Sequence, residues 1–485
     1  MMNEDAERRG RLLAMILAVA ALVLGGMWLI LDLVRGAGLS AGSLVVIAVG
    51  VVVLVWIDSM TSVGVSGSIR AAPVALVSAL VAAGLAGCSG ADAGDAARAA
   101  EVVRSDSAGV EVVVNLAAAA AVPVFATLDS VPTLRLGSLG GRPEEQFGSV
   151  TDVVPLAAGG VAVLDGHAAE IRLFDSNGAY DLSLGSQGQG PGELQRPTEL
   201  ALLPGDTLAV YDAGSMRVTR FGPDGALGRV TTLQQSGGRI VVASFLPDGR
   251  LVGQSRWLAP DRGPPPGEEP TLVRDTAVLT LFTVDGGLED TVDIVPGRES
   301  IQSIVVGDRS VSVSKRSPAF GRTNVFAGHP DGVWSSTNDR FELRLREAGS
   351  GRLIRIVRAP GLEAPVTDAL ARAIHNHALA EAETADDRRR VEAWYALSPR
   401  PGTQPAYDRV VVDDEARLWV RAWSPLDDAT RWWVFARDGD LLGSVDVPSG
   451  TTITAVRCGR AWGIERDELD VSYVVRYALR GVAGC

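Results

Sequence analysis

The chain is poor in the residues that most often mark chemistry. Its 485 residues hold three cysteines and four histidines. Lys plus Arg number 45 against 58 Asp plus Glu, a net charge of -13. That balance argues against nucleic acid as a partner, because phosphate binding needs a basic footprint. Four histidines leave little for zinc, which takes three or four ligands, often His. His375 and His377 are two apart on a predicted helix and face different sides. His167 and His329 are far apart in sequence, and only a closed ring could bring them together at its axis. They stand as weak ligand candidates, with no metal and no cofactor expected.

The apolar content of 47% is concentrated in the first ninety residues. Leu12 to Val34 is interrupted only by Asp32 and is long enough to cross a bilayer, which takes about 20 residues. Leu44 to Ile57, reaching back to Leu39 at most, is marginal in length. Ala71 to Gly87 is a third run, with Arg70 ahead of it and Leu85-Ala86-Gly87-Cys88 at its end. That tetrapeptide resembles the lipobox of bacterial lipoproteins, which implies a lipid on Cys88. The other reading is a third membrane helix with a chance cysteine. The small, polar residues after Cys88 suit a flexible tether. A chain starting at Met60 would have an ordinary signal-peptide layout over 60–88. Residues 1–59 would then be a spurious extension or a membrane hairpin, with Arg8, Arg9 and Arg11 favouring an inside N-terminus. Either way, everything after Cys88 lies outside the cytoplasm. An oxidising compartment permits Cys458 and Cys485 to pair, and two free thiols remain the alternative.

Residues 89–108 read as linker. Gly109 to Asn115 reads as a strand, from Pro132 onward the pattern is strand, turn, strand, the propeller is expected over 109–485, and two stretches match at a fixed offset. Val161-Ala-Val-Leu-Asp165 is echoed by Leu208-Ala-Val-Tyr-Asp212, Ile171 to Phe174 by Val218 to Phe221, and Asn177-Gly178 by Asp224-Gly225, each pair 47 positions apart. A period of roughly 40–50 residues of short strands is the signature of propeller blades. The expected class is all-β: a six-bladed β-propeller with a helical insertion at about 366–397, preceded by hydrophobic membrane or signal segments. Blade one is expected at about Gly148–Gly185, blade two at Pro197–Gln235, and blade three from Ile240 with a Pro-rich excursion over Pro260–Pro270. Gly332-Val-Trp334, Arg417 to Val420 and Ala461 to Ile464 seed the last three. Pro132 to Gly137 has no blade of its own and is expected to pair with the last blade, because closure removes exposed sheet edges.

Gly188-Gln-Gly-Pro-Gly-Glu-Leu194, a proline-containing strand, Ala209-Val-Tyr-Asp212 and Arg217 to Phe221 resemble six-bladed propeller lipoproteins related to NHL-repeat proteins. The ending from Trp462 to Tyr477 resembles them too. The resemblance covers about 109–480 and implies fold and location more than activity.

Gly188, Gly190 and Gly192 hint at a phosphate loop, but that chemistry needs a helix N-terminus behind it, and a strand follows here. A tight inter-blade turn is the expectation. Asp165 and Asp212 are repeat-equivalent, so they are candidates for a hard cation or for turn capping. The insertion reads as helix over Val366–Leu397, either a lid or a decorated loop. Trp334, Trp419, Trp432, Trp433 and Trp462 read as blade packing. The functional expectation is an extracytoplasmic, membrane-anchored binding module with an unidentified protein or small-molecule ligand. A metal-dependent, lactonase-like hydrolase or lyase at the central channel is the alternative, and a membrane-anchored sensor is the second.

Overall fold

A computed structural model describes residues 102–234, 238–257, 269–306, 311–426 and 429–484. The three apolar runs, Cys88, Cys485 and residues 258–268 of the Pro-rich excursion lie outside the described residues. Among the described residues no helix is long and apolar enough to cross a membrane.

Each repeat folds as an antiparallel meander. In blade 1 the strands are Val150–Pro155, Val161–Asp165, Glu170–Phe174 and Tyr180–Leu184. The second strands, Val161–Asp165 and Thr207–Asp212, are buried at nearly every residue. A short continuous apolar run suits a strand covered on both faces. Gly178 and Gly225 take φ +85° and +77° in the third turn of their blades, a conformation an L side chain rarely adopts. This is the physical content of the repeated Asn-Gly and Asp-Gly.

Six such sheets close into a ring. The innermost strands are Val150–Pro155, Pro197–Leu203, Ile240–Phe245, Asn324–His329, Tyr407–Val412 and Thr451–Arg457. Each contacts the next in that order, and the sixth contacts the first. The architecture is therefore a six-bladed β-propeller. Trp334, Trp419, Trp432 and Trp462 are fully buried within it.

The N-terminal segment stitches this ring together. β1 (Val102–Ser107) and β2 (Val110–Asn115) form a hairpin, and β2 pairs in parallel with Leu353–Arg358 on the outer edge of blade 4. The tether expected over 89–108 is thus already strand from Val102. A short strand, β3 (Thr127–Leu128), and then β4 (Leu134–Leu136) pair with Ser472–Arg480 of blade 6. Ring closure by Pro132 to Gly137 is borne out by that register, Leu136 opposite Val474.

Blade 3 departs from the pattern. Its third and fourth strands, Thr271–Phe282 and Leu288–Val306, form a long arm, and Val311–Arg316 adds a fifth strand. The single helix expected over 366–397 is two, α1 (Asp368–Ala380) and α2 (Ala385–Leu397). Thr384 opens α2 with a reciprocal capping box to Asp387, which fixes the break between them. Ile374, Ala378, Val391 and Trp394 pack against Ile301 of the arm and Phe320.

Candidate functional site

The innermost strands surround a cavity of about 450 Å³. Five of them carry a β-bulge, near the start of the strand in blades 1, 2, 3 and 5 and at mid-strand in blade 6. The ladder skips Thr151, Thr198, Val241, Asp408 and Thr454. The next residues, Asp152, Glu199, Val242, Arg409 and Ala455, all line the cavity. A bulge re-aims the following side chain, which is why bulges gather beside functional sites. In blade 4 the ladder runs without a register shift.

Two carboxylates and a guanidinium thus converge from blades 1, 2 and 5. Asp152 is fixed at the seam between two blades. Its Oδ1 accepts the Val153 N–H at 2.8 Å and its Oδ2 accepts the Leu200 N–H at 2.9 Å. Burial pushes Asp152 up to about 6, against the pull of those two N–H groups and of Arg409. Burial raises Glu199 well above the ordinary carboxylate range, and the Asp152 charge raises it further. Asp152 therefore ionises first, and Glu199 keeps its proton longer. Arg409 is enclosed by protein, and burial lowers its basicity, yet its surface is exposed to the cavity. Water reaches the guanidinium, and an arginine keeps its charge in any case. Among the described residues no ion pair of 4.0 Å or less joins Arg409 to either carboxylate. Asp408 beside it is neutralised by Arg421, Nε to Oδ1 at 2.6 Å. Asn324 donates to Gln254 Oε1 at 2.9 Å on the facing wall. Arg298, from the blade 3 arm, also lines the cavity.

The residues singled out by sequence fall elsewhere. Asp165 is fully buried and accepts the N–H groups of Gly148, Ser149, His167 and Ala168 at 2.8–3.1 Å. Asp212 accepts from the Gln195, Arg196 and Gly214 N–H groups and from the Ser215 hydroxyl. Both oxygens of each are engaged in holding inter-blade turns. His167 is exposed in the turn after the second strand of blade 1. His329 ends the innermost strand of blade 4, fully buried, with Nε2 3.2 Å from the Ala416 carbonyl. The two sit at opposite ends of the ring, so no axial pair forms. Burial lowers the His329 pKa. His375 stacks on Tyr395 at 4.0 Å, and His377 pairs with Glu381. Among the described residues no cluster of three or more His, Cys, Asp or Glu is placed to hold a metal. The glycine-rich loop is a turn: Gly188 N–H bonds the Leu194 carbonyl and Gly190 N–H the Glu193 carboxylate. Cys458 is disulfide-bonded.

Asp152 and Glu199 were missed by sequence reasoning, although the signal existed. They stand 47 apart, the offset of the repeat. One lies in Thr-Asp-Val-Val-Pro and the other in Thr-Glu-Leu-Ala-Leu-Leu, so an identity search passes over them. Arg409 has no such echo.

No protein-family model matches the chain, and neither does any curated protein. Solved structures share its course at low similarity. A member of the DUF4221 family from Bacteroides vulgatus is 12% identical, covering 73% of this chain and 98% of its own, at a TM-score of 0.42. A Bacteroides fragilis protein described as exported is 13% identical over 73% and 98%, at 0.40. A gluconolactonase from Xanthomonas campestris is 14% identical over 69% and 88%, at 0.34. The propeller assignment rests on the closed ring of strand contacts and borrows nothing from these.

Proposed function

We propose that this protein is an extracytoplasmic binding propeller, held to a membrane by a lipid on Cys88, and that its ligand enters the ring channel. One observation carries the reading: unlike charges from three blades face a shared, water-accessible cavity without pairing with one another. Charges left so are costly unless solvent or a ligand satisfies them. The cavity lies within the ~300–1,000 Å³ usual for small-molecule sites. The blade 3 arm and the helical pair are built around the end of the channel where Arg298 and Thr323 lie, and that end is the proposed mouth.

The test is direct. Native protein and an Ala455→Trp variant, which fills the channel, are purified and denatured, and released small molecules are identified by mass spectrometry. A species present with the native protein and absent from the variant supports the reading. Identical profiles overturn it. The enzyme reading draws on a different observation, the separated ionisation of Asp152 and Glu199, a pattern shared with acid–base pairs. Turnover of the released species by the native protein, lost in Glu199→Gln, would favour that reading.

A further inference from the structure

The channel also indicates the chemical class of its occupant. Three of its charged groups form two poles, and Arg298 of the blade 3 arm adds a further positive charge at the mouth. At one pole, Asp152 and Glu199 sit side by side on adjacent blades, at the same position of the repeat. At the other, Arg409 reaches in from blade 5, with Asp408 already occupied by Arg421. Arg409 and the carboxylates feel each other's charge but do not touch. Between the poles Val242, Val325, Val410 and Ala455 give the wall apolar stretches beside the polar Gln254, Thr323 and Asn324. Val242 stands at the bulge position of blade 3, where neighbouring blade 2 carries Glu199 and blade 1 beyond it carries Asp152, and it is 44% exposed. Lining a cavity of this size, the valine offers a ligand's apolar group a contact surface.

We infer that the channel binds a zwitterion of the amino-acid or short-peptide class, its ammonium held at Asp152 and Glu199, its carboxylate at Arg409, and its side chain against Val242. The inference rests on the channel being the binding site. A simple cation would satisfy the acidic pole and leave Arg409 unpaired. A simple anion would do the reverse. A sugar without charge would leave both poles to water. A molecule with both charges closes both at once, and its carboxylate meets the guanidinium fork in the bidentate geometry that arginine favours. An ammonium donates three hydrogen bonds, which the remaining lone pairs of two carboxyl groups can accept.

The experiment uses the full chain in detergent, with four probes of one skeleton: leucyl-alanine, its N-acetyl form, its C-terminal amide and the doubly blocked compound. Binding is read by calorimetry. The free dipeptide is expected to bind at least tenfold more tightly than either singly blocked form, and the doubly blocked form more weakly still. Arg409→Met should abolish the preference for the free carboxylate while keeping that for the free amine. Asp152→Asn should do the opposite. Arg409→Lys retains the charge and should restore part of the carboxylate preference, which separates recognition from damage to the fold. Equal affinity for blocked and free forms, or no binding of any probe, overturns the zwitterion assignment. Preference for free termini that survives in Ala455→Trp overturns the channel itself as the site.

Discussion

At the scale of single residues, aspartates held by backbone N–H groups in this protein do two jobs, and backbone geometry decides which. Asp165 spends both oxygens on four backbone N–H groups of an inter-blade turn. Asp165→Ala would strand those donors inside the protein and is expected to cost about 2–4 kcal/mol by denaturant unfolding. Ligand binding in the channel should survive at temperatures where the variant is folded. Asp152 works in the opposite sense. Burial raises its folded-state pKa to about 6, above the unfolded value near 3.9. Its contribution to stability is thus fully present below about pH 4 and is lost as pH rises through about 6. Asp152→Asn removes that loss. The stability of the variant relative to the native protein is expected to grow between pH 4 and 7, by about 1–2 kcal/mol once water in the channel is allowed for. Paired unfolding curves at the two pH values check it, and a constant difference would contradict the raised pKa. The turn aspartates were legible in sequence because blades 1 and 2 share the same turn and repeat the same letters. The channel acids were not, because Asp and Glu substitute for each other where only a charge is wanted.

At the scale of elements, what could be read from sequence was whatever repeats. Blades 1 and 2 are legible to within a few residues, since an Asn-Gly or Asp-Gly turn and a buried apolar strand recur in both. The arm of blade 3 and the hairpin β1–β2 were not, because each occurs once. Val102 to Ser107 ends in four consecutive polar residues and looks like linker until β2 supplies its partner. Arg104 then ties it to Glu111 and to Asp438 and Asp440 of blade 5, at 2.6–2.8 Å. These pairs are half-exposed and contribute little singly. Val113 of β2 and Val357 beside it are fully buried, so the hairpin covers core. Deleting 89–101 is therefore expected to leave the melting temperature unchanged. Deleting 89–138 removes both the hairpin and β4, opens blade 6 to solvent, and should abolish cooperative melting. The disulfide belongs to the same scale. Cys458 sits in a turn at φ +52°, and the C-terminal tail runs against that turn, with the Cys458 carbonyl 3.7 Å from where a Gly484 Cβ would lie. We propose Cys485 as its partner. Breaking a loop of that size is expected to cost roughly 3 kcal/mol on a chain-entropy model. Non-reducing peptide mapping should recover the two cysteines in one linked fragment, and separately alkylated thiols would refute the pair.

At the scale of the whole molecule, closure makes the propeller one cooperative object. Each innermost strand touches two neighbours, and β3 and β4 meet the C-terminal strand in blade 6. No blade can leave without exposing the faces of two others, so damage anywhere in the ring should register everywhere in its stability. The proposed anchor stands outside that logic. Cys88 precedes the first strand, Val102–Ser107, by more than a dozen residues of small and polar character, so a lipid there sets where the propeller is and not whether it folds. Cys88→Ser is therefore expected to leave the melting temperature of the ring unchanged while abolishing incorporation of a fatty-acid probe. Where the variant goes depends on the start of translation. A chain begun at Met60 has no other membrane segment than the signal run, and the serine variant should lose its lipid-dependent hold on the membrane. A chain begun at Met1 keeps Leu12 to Val34 and should stay membrane-bound without label. Fractionation and labelling of the same samples separate these cases. Label retained in the serine variant would place the acylation on another residue and overturn Cys88 as the anchor.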